Sequence, residues 1–250
     1  MLLKNKTAIV TGAGSGIGRA IALMYAREGA RVVVSDISEK GGNETVKMIG
    51  EQYKGAESIF VRADVGSADD NRALVAATIE RFGSLHVACN NAGITGEYKE
   101  IAETSLEGWR RVIEINLSGV FYAMHYQIPR ILESGGGAVV NMASIHSQIC
   151  AANISGYVAS KHGVLGLTKV AAVEYSARGV RVNAVGPAYI ATPLLNQQDE
   201  KLAADRLSKH PIGRLGTPEE VAELVVFLSS EKSSFITGSY YPVDGAYLCQ

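Results

Sequence analysis

The chain has 250 residues, 47% hydrophobic and 20% charged, with 24 basic against 25 acidic side chains and a formal net charge of −1. That composition fits a globular protein with one sizeable core and offers neither a nucleic-acid surface nor a polybasic membrane patch. Three cysteines, Cys89, Cys150 and Cys249, stand without a CxxC or Cys/His cluster. They argue against a disulfide framework or structural zinc and favour a reducing compartment. Lys4 and Lys6 have no apolar stretch behind them, so no signal peptide is expected. No apolar run reaches the ~18 residues that span a bilayer. The expected location is the cytoplasm, with no metal, nucleic acid or membrane partner.

Short β-branched runs alternate with helical stretches. Strand is expected at Thr7–Thr11, helix at Ile17–Glu28, strand at Arg31–Asp36 and helix at Glu39–Tyr53. Strand Ser58–Ala63, helix Ala68–Phe82 and strand Leu85–Asn90 follow. A long helix is expected from Leu106 to Glu133, stopped by Gly136 and Gly137, then strand Ala138–Ala143. Helix Ser155–Arg178, strand Arg181–Val185, helix Pro218–Ser229 behind Thr217 and a final strand Tyr240–Val243 complete the chain. Alternation of this kind predicts an α/β fold: a doubly wound parallel sheet with helices on both faces. No linker or repeat divides the chain, so residues 1–250 are expected to form one domain. The irregular stretch 187–211 is expected to act as a flap over the site.

The segment Thr11-Gly12-Ala13-Gly14-Ser15-Gly16-Ile17-Gly18 joins the first strand to the first helix. Glycines there allow a tight turn and close approach of backbone N–H groups to a pyrophosphate at the positive helix end. A tight turn without a ligand remains the alternative. Asp36 ends the second strand, where a carboxylate can bind the adenosine ribose hydroxyls; capping the next helix is its other reading. A carboxylate repels a 2′-phosphate, and neither Ser15 nor a neighbour of Asp36 supplies a positive charge. NAD(H) is therefore expected over NADP(H).

Tyr157 and Lys161 lie one helical turn apart, within reach of each other or of a shared ligand. A nearby ammonium favours the phenolate and suits a tyrosine to general acid–base work. A surface packing pair is the alternative. Ser144, at the end of the preceding strand, stands where a donor to a substrate oxygen is needed.

Together the TGAGSGIG turn, Asp36, Asp64-Val65, Asn90-Asn91-Ala92-Gly93, Asn116, Ser144, Tyr157-Val158-Ala159-Ser160-Lys161, and Pro187 with Thr192 resemble the short-chain dehydrogenase/reductase family over nearly the whole chain. The resemblance implies a Rossmann-type sheet of about seven strands and hydride transfer with a nicotinamide cofactor. It implies Tyr157 as acid/base and Ser144 as the group on the substrate oxygen. It also implies Lys161 on the nicotinamide ribose, lowering the tyrosine pKa, and Asn116 helping a water join the proton relay. Cofactor contacts are implied at Gly12, Ser15, Gly16, Ile17 and Gly18, at Asp36 and Ile37, and at Asp64 and Val65 on adenine. Further contacts are implied at Asn90, Ala92 and Gly93, and at Pro187, Ile190 and Thr192. Asn116, Asn90 and Asp64 also have structural readings: helix backbone satisfaction, glue between strands and a turn cap. Pro187-Ala188 departs from the family's usual Pro-Gly, an extra methyl that narrows the pocket or restricts the flap.

Thr95, Ser144, His146, Ile149, Cys150, Ile154, Ala188, Tyr189, Leu194 and Leu195 are expected to face substrate. Mostly apolar and without a clamping arginine, they suit a neutral, fairly hydrophobic ketone or secondary alcohol. The alternatives are a sugar, a steroid or a 3-oxoacyl thioester, and, from a different class, a regulatory NAD-binding module without turnover. The apolar excess of the two long helices predicts a homotetramer, with a dimer as alternative. The tail resembles family members that pack at subunit interfaces, some with a structural cation near a terminal glutamine such as Gln250.

Overall fold

The computed structural model describes residues 1–192 and 206–250. Seven strands, β1 (Thr7–Thr11), β2 (Arg31–Asp36), β3 (Ser58–Arg62), β4 (Val87–Asn90), β5 (Gly137–Met142), β6 (Val180–Pro187) and β7 (Tyr240–Val243), form one parallel sheet in the order β3-β2-β1-β4-β5-β6-β7. The order reverses between β1 and β4, so the crevice of the sheet opens at their carboxyl ends.

Both faces are covered, and the pleat divides the strand residues between two cores. Ala8, Val10, Val32, Val34, Cys89 and Val140 pack on one side, with α1 (Gly16–Arg27) and α7 (Pro218–Ser229). Ile9, Val33, Ala88, Val139, Val182 and Ala184 pack on the other, with α3 (Ala68–Phe82), α5 (Gly119–Glu133) and α6 (Ser155–Tyr175). Double burial explains strands that read as continuous apolar runs rather than alternating ones. β7 admits Pro242 because it lies at the sheet edge. The helix α2 (Glu39–Gln52) packs beside β2 and β3.

The long helix expected over Leu106–Glu133 differs in one respect. It runs as α4 (Leu106–Ile113), a π turn over Glu114–Ser118 and then α5, all with right-handed helical backbone at the junctions. A π turn inserts one residue without breaking the rod, so apolar periodicity cannot reveal it. The later helix closes on a 3-10 turn, Ser176–Arg178, and stops at Gly179, whose φ of 84° is left-handed. The segment expected as a flap is described only at its two ends. Leu194 and Leu195 lie outside the described residues. The elements build one Rossmann-like domain, and none of its described helices is long and apolar enough to cross a membrane.

Candidate active site

The glycine turn sits at the sheet's switch point. Gly12 and Gly16 have φ of 63° and 53°, which L side chains rarely adopt. A Cβ on Gly12 would lie 2.9 Å from Ala92 Cα, and one on Gly18 would strike the Gly12 carbonyl. Helices α2, α3, α4 and α7 are capped by the side chains of Ser38, Ser67, Ser105 and Thr217, and each has an acid in its first turn. Helix α1 has neither: Ser15 makes no side-chain cap and no acid follows. Its positive end thus has neither a capping side chain nor a first-turn acid of its own, as a pyrophosphate site requires. The residues present fit a dinucleotide.

Asp36 closes the far side of the turn. Its carboxylate accepts the N–H of Gly14 at 2.8 Å and that of Ser38 at 2.9 Å, so the ribose and capping readings are compatible. Two carboxylate oxygens can accept ribose hydroxyls as well. No ion pair among the described residues involves Asp36, yet two cations that sequence proximity did not suggest stand nearby. Arg62 is its register partner on β3. Arg19 bonds the Gly14 carbonyl, Thr45 and Glu44, stitching the turn to α2. Ile37 is exposed beside Asp36.

Asp64 takes up its turn-capping reading: it accepts the Gly66 N–H at 2.9 Å, and it pairs with Arg111 of α4 at 3.0 Å. These bonds hold its carboxyl below the ordinary range against the opposing effect of burial. After β4, the Asn91 amide donates to the Thr11 carbonyl, and the Thr11 hydroxyl accepts the N–H groups of Asn91 and Ala92. The Asn90 side chain takes up its structural reading as glue between elements, which leaves the expected cofactor contact to its main chain. Its side chain is locked in a buried chain of amides, accepting from Gln127 and donating to Asn141, each at 2.9 Å. Only its main chain remains for the crevice.

Four polar side chains meet beyond the carboxyl ends of β4 and β5. Ser144 follows β5 and opens the 3-10 turn Ile145–Ser147, where its hydroxyl accepts the His146 N–H at 3.2 Å. The Tyr157 phenol faces the Ser144 hydroxyl, which acts to lower its pKa. The ammonium of Lys161, 5.7 Å from the centre of the Tyr157 ring, donates to the Met142 carbonyl at 2.7 Å. Asn116 stands in the π turn; its amide pairs with the N–H and C=O of Ile94, at 2.9 and 2.8 Å, and donates to Ser160. Both amide hydrogens are thereby committed, to the loop after β4 and to Ser160 rather than to helix backbone. Gly93 lies between them: a Cβ there would be 3.2 Å from Asn116 Oδ1 and 3.7 Å from Lys161 Nζ.

The electrostatics differ from the expectation that Lys161 lowers the tyrosine pKa. Burial raises Tyr157 above its ordinary value, and the lowering contribution comes from the Ser144 hydroxyl. Lys161, 4% exposed and without an acid partner among the described residues, is itself pushed down to about 8 by burial. The sequence shows that a cation is one turn away, but not that its proton is directed to a carbonyl.

On the substrate side, His146 is buried and meets the Tyr157 ring edge to face, at 6.0 Å between centroids. Burial and the charge of His162 lower its pKa. Ile154 is buried, Ile149 half-buried, and Cys150 and Thr95 exposed at the rim. Ala188 and Tyr189 are half-buried and fixed from behind: Ala188 N–H donates to Val243 O, and Gly216 N–H to Tyr189 O. Ile190 is buried, and Thr192 approaches Gly16 of the glycine turn. Tyr189 also joins the rings of His210 and Tyr247 from the C-terminal tail, at 5.9 and 6.0 Å, a cluster no local pattern announced. No group of acids, histidines and cysteines that could hold a metal ion occurs among the described residues.

A glycine turn at the switch point, an acid after β2 and a Ser–Tyr–Lys group beyond β5 define a nicotinamide-dependent oxidoreductase. A family model described as enoyl-(acyl carrier protein) reductase matches residues 12–247. Cyclohexanol dehydrogenase of Acinetobacter sp. (strain SE19) is 53% identical over 97% of this chain and 95% of its own. Cis-4-hydroxycyclohexanecarboxylate dehydrogenase of Sinomonas cyclohexanicum is 42% identical over 97% and 96%. The crystal structure of levodione reductase superposes with a TM-score of 0.94 at 36% identity, over 98% of both chains. The chain belongs to the short-chain dehydrogenase/reductase family, whose dehydrogenases bind a nicotinamide cofactor.

Proposed function

We propose that this protein interconverts a cyclic secondary alcohol and its ketone with NAD(H). The observation that carries the reading is the convergence of the Ser144 hydroxyl, Tyr157 phenol and Lys161 ammonium beside the uncapped start of α1. Substrates of the cyclohexanol kind suit the small, mostly apolar wall of Ile149, Ile154, Ala188 and Tyr189, and both relatives named above act on substituted or unsubstituted cyclohexanols. Gly12, Ser15, Gly16, Ile17 and Gly18 hold the pyrophosphate, Asp36 and Ile37 the adenosine ribose, and Asp64 and Val65 the adenine. The main chain of Asn90 to Gly93 lines the crevice, and Pro187, Ile190 and Thr192 meet the carboxamide. Asp36, in no ion pair among the described residues, supports NAD(H) over NADP(H).

The nicotinamide, when bound, supplies the hydride acceptor for oxidation, the hydride donor for reduction, and a positive ring in its oxidised state. In the oxidative direction Ser144 donates a hydrogen bond to the substrate oxygen. The phenolate of Tyr157 takes the hydroxyl proton. In reduction the Tyr157 phenol returns that proton to the carbonyl oxygen, while the Ser144 hydroxyl stabilises the charge that gathers there. Lys161 turns from the Met142 carbonyl to the nicotinamide ribose and adds positive charge beside the phenolate. Asn116 ties the Ile94 loop to α6 through Ser160 and so fixes the floor on which Lys161 moves. His146, kept neutral by burial, is a wall residue.

The protein is assigned to the cytoplasm, where its three free cysteines stay reduced. It is assigned as a homotetramer, because Phe121 of α5 and Val170 and Val173 of α6 are 51%, 55% and 85% exposed and await cover.

The test follows the near-ultraviolet band of reduced nicotinamide with cyclohexanol, cyclohexanone, acyclic ketones and a 3-oxoacyl thioester, with NAD(H) and NADP(H) in parallel and Tyr157→Phe as control. Turnover of the cyclic pair with NAD(H), lost in the variant, is the expected result. A preference for NADP(H) would transfer the ribose site to Arg62 or Arg19, and thioester turnover would replace the substrate assignment. Cofactor binding without turnover of any substrate would favour the regulatory module.

A further inference from the structure

Tyr240 belongs to no motif of the sequence. It lies on the edge strand β7, in register with Ala184 of β6, and its side chain crosses β6 above Gly186. A Cβ on Gly186 would fall on the Oη, Cζ and Cε2 atoms of Tyr240. Gly186 is not among the positive-φ glycines, so its missing side chain serves no backbone demand; it makes room for the phenol. The Tyr240 hydroxyl, so seated, donates to the Ser144 carbonyl at 2.9 Å.

Ser144 is thereby held from three directions. Its N–H donates to the Ser147 hydroxyl, which donates in turn to the Lys161 carbonyl of α6 at 2.8 Å. Its own hydroxyl accepts the His146 N–H within the 3-10 turn. Its carbonyl is held from the sheet edge by Tyr240 alone among the described side chains. With that bond gone, the carbonyl keeps only the Ser147 N–H of its own 3-10 turn, at 2.9 Å, so the turn loses its tie to the sheet edge and the Ser144 side chain can shift relative to Tyr157. Displacements of about 1 Å in a reacting group can cost far more in rate than in binding.

We propose that Tyr240, seated on Gly186, is the positioning residue for Ser144, setting the angle from which its hydroxyl meets the substrate oxygen and Tyr157. This rests on the reading of Ser144 as the donor to that oxygen. Burial, with Asp244 beside it, raises the Tyr240 pKa above the ordinary value, so the phenol stays a donor through neutral and mildly alkaline pH.

The test compares Tyr240→Phe, Ser144→Ala and the parent enzyme at saturating NADH, with cofactor affinity from nicotinamide fluorescence and a pH profile of kcat. Tyr240→Phe keeps the ring over Gly186. It is expected to lower kcat about three- to tenfold, the scale of one hydrogen bond, and to leave the NADH Kd unchanged. Ser144, Lys161, His146 and Tyr189 face the Tyr157 ring, and burial with Tyr189 raises its pKa. Loosening Ser144, the one that lowers it, should move that limb of the profile to higher pH. The double variant Gly186→Ala/Tyr240→Val refills the space with a methyl, without the hydroxyl. It is expected to bind NADH normally and to turn over as slowly as Tyr240→Phe. Parent-like kcat and pH profile in Tyr240→Phe, with Ser144→Ala inactive, would overturn the positioning role and leave the Ser144 reading intact. Loss of NADH binding in Tyr240→Phe would show a merely structural role and overturn it as well. Full turnover in Ser144→Ala would remove the reading beneath it.

Discussion

Lys161 carries its charge at a cost that no unliganded fold would choose. Buried, with no acid partner among the described residues, its ammonium is pushed from 10.5 to about 8, while the unfolded chain keeps the ordinary value. The unfolded state therefore binds more protons between these limits, and this group makes stability rise with pH from about 8 to 10.5. The penalty is fully present below pH 8, at up to about 3 kcal/mol by the usual conversion. Lys161→Met is expected to raise apoprotein stability by about 1–3 kcal/mol at pH 7 in denaturant titration, with the gain fading above pH 8, and to lower kcat/KM at least about a hundredfold. Equal stability at pH 7 would mean the ammonium is not desolvated. At this scale the sequence was informative wherever residue type and spacing coincide: Tyr157 with Lys161, Ser144 at a strand end, Asp36 after β2. It was silent on Tyr240, Arg62 and Arg111, whose partners are brought close by strand register or helix docking. It left Asn90 open between two readings, and the amide chain through Gln127 and Asn141 decides where that side chain goes.

The helices state their roles at their first turns. α7 opens with a reciprocal cap between Thr217 and Glu220, backed by two bonds from Arg214 to the Glu220 carboxylate. Thr217→Ala is expected to cost about 1 kcal/mol of stability, read as a lower Tm. Because Gly216, the preceding residue, holds Tyr189 and Ala191 by main-chain bonds, the same variant should raise the substrate KM more than the cofactor KM. α1 is built the opposite way. Ser15→Asp would add the missing acidic cap and is expected to stabilise the apoprotein by about 0.5–1 kcal/mol. The same carboxylate would face the pyrophosphate and should raise the NADH Kd at least about tenfold. A variant that stabilises without weakening NADH would show that the pyrophosphate does not sit at this helix end. Strand and helix existence was legible throughout, because apolar runs bounded by glycine and capping residues are local signals. The π turn at Glu114–Ser118 was not, since one inserted residue leaves the apolar period almost unchanged.

For the whole molecule, the exposed face of α5 and α6 leads to a solution measurement. Light scattering behind size exclusion is expected to give four times the chain mass, and Val173→Lys or Phe121→Lys should shift that value downward. A monomer in the parent protein would leave those side chains without the proposed cover. The sequence by itself determined the class of fold, the single run of βα units, the glycine turn and the proposed grouping of Ser144, Tyr157 and Lys161, because each is written in neighbouring residues and their periodicity. Only the tertiary structure decided strand order, the meeting of Gly12 with Ala92, the direction of the Lys161 proton and the hold of Tyr240 on Ser144. Those depend on which strands lie side by side and on what burial does to a charge or leaves space for, and contacts between residues far apart in the chain have no local signature to read.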